Sequence, residues 1–165
     1  MMDQVENVCE EEDFDIGVLM PIAILHDIGY SEVGKVNPSV KDQNIKKLHM
    51  EKGAEISQKL LMQLNFDGKT IEEVSYLISA HDNWVFGDNK VFHKISEMAV
   101  FNDLDFIWPF SSIKQFKITA ESMEMNSKEA YKFWENDEKF INRPLCCEYT
   151  KKLYKKLSDD IKKAL

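Results

Sequence analysis

The chain has 165 residues, 44% hydrophobic and 30% charged, a composition that suits one globular domain and is too apolar for disorder. A net charge of -8 excludes general electrostatic binding to nucleic acid, because neutralising phosphates needs a basic stripe that this balance does not supply. No stretch reaches the ~18 consecutive apolar residues of a membrane span, and the acidic start Glu10-Glu11-Glu12-Asp13 is opposite in sign to a signal peptide, so a cytoplasmic protein with no membrane partner is expected.

After a short acidic N-terminus, residues 16 to 25 read as a buried helix, with Pro21 placed in its first turn if the helix starts late. Residues 29 to 41 hold Gly34, Asn37 and Pro38 and read as a loop. From about Asn44 to Leu64, Ile45, Leu48, Gly53, Ile56, Leu60 and Leu64 fall at helical spacing. Turn chemistry at Asn65 to Gly68 precedes a capping-box pattern, Thr70 with Glu73, and a helix whose apolar face is Ile71, Val74, Leu77 and Ile78. A loop over 83 to 89 leads to a helix from Lys90 to Ile107, with Phe92, Ile95, Ala99 and Leu104 as core, stopped by Pro109. Residues 111 to 125 read as a looser segment, 127 to 140 as a helix, and a last helix begins near Pro144. No segment alternates apolar and polar residues as a strand does, so the fold class is all-α, a single domain over 1–165. The cysteines, two of them adjacent as Cys146-Cys147, form neither an even disulfide framework nor a CxxC pair and read as reduced thiols.

Four elements carry a metal-preferring side chain on the face that should point inward. His26 and Asp27 end the first apolar helix; His49 lies four residues from both Ile45 and Gly53; His81 lies three after Ile78; Asp103 lies four from both Ala99 and Ile107. A carboxylate facing an apolar core without a partner costs several kcal/mol, and one shared cation would satisfy all five residues. Singly, each His would read as a hydrogen-bonded core residue, and Asp82 and Asp105 as carboxylates paired with a Lys or capping a neighbour. Lys35 could reach a phosphate but reads as a solvated loop residue, Asn83 and Trp84 as a base pocket or a core lid in equal measure, and His93 as too distant to join. Met123, Met125, Phe133 and Trp134 read as core, and Lys151, Lys152, Lys155 and Lys156 as a solvated helix face.

The joint pattern resembles the HD-domain superfamily of metal-dependent phosphohydrolases. Leu25-His26-Asp27-Ile28-Gly29 looks like its hallmark segment, His49 to Ala54 like the HxxxGA segment of its two-metal members, Ile78 to His81 like their second added His, and the stretch 99 to 105 like the helix giving the final Asp. The resemblance covers about residues 5 to 108 and implies a bundle of about six to seven helices. The family pattern opens with a further His on a preceding helix, and no His stands before His26.

What the resemblance implies is a metal site of His26, Asp27, His49, His81 and Asp103 for one or two divalent ions, Fe, Mn, Zn, Ni or Co suiting the mixed donors equally. His26, Asp27 and Asp103 would serve one ion; Asp27 would bridge to a second held by His49 and His81. Asp27, His49 and His81 are the catalytic candidates, and the substrate is expected to be a small phosphate ester such as a nucleotide. Two alternatives stand beside it: a catalytically weak ligand-binding or interaction module, and, less favoured, di-iron oxygenase chemistry. An apolar wall left by the missing first helix would favour a homo-oligomer.

Overall fold

The computed structural model describes residues 1–33, 43–88, 90 and 96–165, and every regular element among them is helical. Lys35, Phe92, His93, Ile95 and the start of the helix expected from Lys90 lie outside the described residues.

The N-terminal half is built on α1 (Met2–Glu12), α2 (Ile16–Leu25), the single turn α3 (Tyr30–Val33), α4 (Gln43–Gln63) and α5 (Gly68–Ala80). The stretch read as a bare acidic N-terminus is thus an 11-residue helix. Asp3, Glu6, Glu10 and Glu11 face water, Glu12 accepts from Tyr149 N at 3.0 Å, and Val5 and Val8 are fully buried. Asp15 caps α2 by accepting from Gly17 N at 2.8 Å, which starts the helix early and leaves Pro21 in its interior rather than its first turn. The stretch Ile16–Val33 averages a hydropathy of 1.3, but its helix ends at Leu25, a rise of about 15 Å against the ~30 Å of a bilayer core. It is instead a core helix, packed on α1 and α5.

α5 is capped by Asp67, which accepts from Thr70 N at 3.0 Å and Thr70 Oγ1 at 2.6 Å. An ionised carboxylate outcompetes a hydroxyl at this end, so the cap falls three residues before the expected Thr70. After a 3-10 turn at Asn83–Phe86 come α6 (Glu97–Ile107), α7 (Ile113–Ser122), α8 (Ser127–Asn136), the turn α9 (Glu138–Ile141) and α10 (Glu148–Ala164). α7 occupies the stretch expected to be looser; Ser112 caps it and Phe116 and Ala120 anchor it. With α1, it raises the described helices of ten residues or more to eight.

Two cores result. Aliphatic side chains of α1, α2, α5 and α6, among them Leu19, Ile22, Val74 and Ile78, form the first. Aromatic residues form the second, where Phe106, Phe110, Phe116, Tyr131 and Trp134 pack between α6, α7, α8 and α10. Trp134 belongs to it, and Met123 and Met125 pack against it. The wall between the two cores is α6.

Candidate metal centre

The site lies where the C-terminal ends of α2 and α5 meet the middle of α4. Two glycines make that meeting possible. A Cβ on Gly29 would stand 1.9 Å from the His49 carbonyl oxygen and 2.5 Å from Gly53 N, and one on Gly53 would stand 3.3 Å from the His26 carbonyl oxygen. The turn after α2 therefore lies directly on the α4 backbone. The glycine spacing of both motifs has a steric cause: only hydrogen at these positions lets Asp27 approach His49.

Three side chains converge as a result. His49 Nε2 lies 3.3 Å from His81 Nε2 and 3.6 Å from Asp27 Oδ1, and His81 Nε2 lies 3.9 Å from the same oxygen. A point equidistant from three atoms so spaced lies about 2.1 Å from each, the ordinary distance from zinc to nitrogen or oxygen. His81 Nδ1 bonds to the Ile78 carbonyl at 2.8 Å, which puts its proton on Nδ1 and leaves a lone pair at Nε2, the tautomer a ligand needs. The donor set fits a divalent cation. Tyr30 stacks on His49 at a centroid distance of 4.1 Å and fixes that ring, while the buried Phe101 packs edge-on against His26 at 5.0 Å and His81 at 6.0 Å, flooring the site.

A second set shares Asp27. His26 Nε2 lies 3.4 Å from Asp27 Oδ2 and 3.6 Å from Asp105 Oδ1. Asp27 thus turns one oxygen to each set, and the carboxylate beside His26 is Asp105 rather than Asp103.

Asp103 is the correction. It is fully buried, and both its oxygens are occupied on the far side of α6: Arg143 Nη1 donates to Oδ1 at 2.8 Å, and Cys146 N and Thr150 Oγ1 donate to Oδ2 at 2.6 and 2.8 Å. Two residues on a helix differ by about 200° in direction, so Asp103 faces the C-terminal segment and Asp105 faces His26. α6 has an inward face toward each core, and Asp103 lies on the one turned away from the histidines. The same contacts draw residues 143 to 147 across α6 and delay α10 to Glu148, past the expected start at Pro144. Asp82, set aside on sequence, also reaches the site, its Oδ2 standing 3.8 Å from His49 Nε2 and 4.0 Å from His81 Nε2. The Arg143 guanidinium lies over the Trp84 ring, 5.5 Å from its centroid.

Titration follows from this geometry. Burial opposes a charge on His26, but its bond to Asp27 and the Asp105 charge outweigh that and raise it to about 9. Burial lowers His81 to about 4 against the pull of Asp82, and lowers His49 against Asp82 and Asp27. Desolvation pushes Asp27 up, yet the three imidazoles hold it below the usual carboxylate range. Burial, reinforced by Asp27 and Asp82, raises Asp105 to about 6.

The sequence model of the HD domain family matches residues 1–133. Neither the curated proteins nor the solved structures include a match to the chain.

Proposed function

The chain belongs to the HD domain family, and from that premise we propose that it is a metal-dependent phosphohydrolase acting on a small phosphate ester, a nucleotide being one candidate. The observation that carries the reading is the convergence of Asp27, His49 and His81 at ligand separations. Those three would hold a divalent ion, with His26, the second oxygen of Asp27 and Asp105 available to a second. When bound, such an ion lowers the pKa of water toward ~7 and neutralises charge on a phosphoryl oxygen, the two requirements of ester hydrolysis near neutrality.

The chain's own residues do the rest. His81 presents its lone pair at Nε2 because its one ring N–H, at Nδ1, donates to the Ile78 carbonyl, and Tyr30 keeps the His49 ring from rotating away. With one ion bound, His26 holds a proton at Nε2 between Asp27 and Asp105. As the water oxygen bonds to phosphorus and the ester bond breaks, that proton passes to the leaving oxygen. A second ion would instead be held by His26 and Asp105, and His26 would then have no proton to give.

The test is metal analysis of protein purified without chelator, then a screen of nucleotides and an aryl phosphate with added Mn or Ni. Turnover that disappears in Asp27→Ala and His81→Ala supports the reading. A folded protein that takes up no divalent ion, or turnover indifferent to Asp27, sinks it.

A further inference from the structure

Lys46 stands on α4 three residues before His49, so its side chain leaves the helix on the face that carries that imidazole. Its Nζ donates to Asp82 Oδ2, the oxygen that lies within 4.0 Å of both His49 Nε2 and His81 Nε2. One carboxylate oxygen therefore separates the ammonium from the ligand cluster, and its charge acts on both His49 and Asp105. The two side chains are only 14% and 9% exposed. A pair so withdrawn from water contributes little net stability, because desolvation offsets the attraction; a structural role alone gives poor account of it. Arg143, also buried, is committed to Asp103 and the Asn102 carbonyl on the opposite side of α6. Among the described residues, Lys46 stands one carboxylate oxygen away from the ligand cluster.

We propose that Lys46 is the substrate anchor: Asp82 holds its ammonium beside the ligand cluster until a phosphoryl oxygen of the ester arrives to take one of its hydrogen bonds. An ammonium has three donors, so it can keep Asp82 while bonding phosphate, and as a compact point charge it suits an anionic oxygen without demanding a bidentate fork. The proposal rests on the phosphohydrolase reading for its substrate and adds the group that recognises the phosphate.

The test uses wild type, Lys46→Met, Lys46→Arg and the double variant Lys46→Met/Asp82→Asn, which removes the carboxylate that Lys46→Met leaves buried and unpaired. Each is titrated with Mn, then with inorganic phosphate in the presence and absence of Mn, and assayed with an aryl phosphate. Loss of the charge-assisted bond should weaken phosphate binding and raise KM about tenfold or more in Lys46→Met and in the double variant. In Lys46→Met, affinity for Mn and kcat should move far less, and Lys46→Arg should recover most of the loss. Phosphate affinity and KM equal to wild type in a folded Lys46→Met, or a wild type that binds no phosphate, overturns the proposal. The two readings fail separately: phosphate binding that needs Lys46 but no metal leaves the anchor and sinks the hydrolase, whereas metal-dependent turnover indifferent to Lys46 does the reverse.

Discussion

Asp103 and Asp105 sit two residues apart on α6, and each looks into one half of the molecule. Toward the C-terminal half, Asp103 meets a guanidinium, a backbone N–H and a hydroxyl, all within 2.8 Å. Toward the N-terminal half, Asp105 meets an imidazole at 3.6 Å and two other carboxylates whose charge it feels. A buried charge whose lone pairs are filled is a fastener; a half-buried one facing an imidazole at 3.6 Å is, on the proposed reading, part of the seat of a cation. The contrast extends to the cores. The aromatic C-terminal core is closed by its own side chains, and the aliphatic N-terminal core ends in three histidines that face one another.

The largest effect should come from breaking the fastener. Arg143→Met leaves Asp103 buried without its counter-charge, and chemical denaturation should show a loss of about 3–5 kcal/mol. A loss under about 1 kcal/mol would mean that Asp103 is not held as described.

Loading the seat comes next. Mn at about 100 times its Kd should stabilise wild type by about 2.7 kcal/mol, and the gain should vanish in Asp27→Ala and His81→Ala. Denaturation with chelator and with Mn reads both.

Gly29→Ala should sharpen the contrast from another side, because its methyl group would meet the α4 backbone at 1.9 Å. The expected destabilisation lies at the upper end of about 1–3 kcal/mol, with weakened Mn binding, whereas Arg143→Met should spare the ligands themselves.

Asp105→Asn against Asp103→Asn is the most direct comparison. The first should weaken turnover and metal uptake while stability stays within about 1 kcal/mol, and the second should do the opposite. Equal losses of metal from the two variants would erase the distinction between the faces.

The last comparison is in pH. In metal-free protein, His26 is raised from 6.5 to about 9, so its contribution to stability is complete below 6.5 and disappears as pH rises through 9. His81, lowered to about 4, contributes above 6.5 and loses that contribution as pH falls through 4. Urea midpoints at about pH 7 and about pH 9.5, with chelator present, should therefore drop in wild type and drop less in His26→Gln.

Much of this was legible in the residue order. The His-Asp pair at the end of an apolar helix, and His49 and His81 at helical spacing from their apolar neighbours, are local patterns. So are the glycines at 29 and 53, whose role needed only the meeting of two backbones to become plain. The α1 and α7 helices were not legible, because their acidic and mixed faces mask the few buried anchors, Val5, Val8, Phe116 and Ala120.

The sequence by itself determined the all-α class, the positions of three of the histidines and the carboxylate between them, since helical period and residue chemistry suffice for each. Only the tertiary structure decided which aspartate of α6 faces the site and which fastens α10. Periodicity tells how two residues are turned relative to each other on a helix; what lies on each side depends on the packing of Arg143, Cys146 and Thr150, about forty residues farther along the chain. The place of Lys46 and Asp82 beside the ligands was decided the same way, by the packing of α4 against α5.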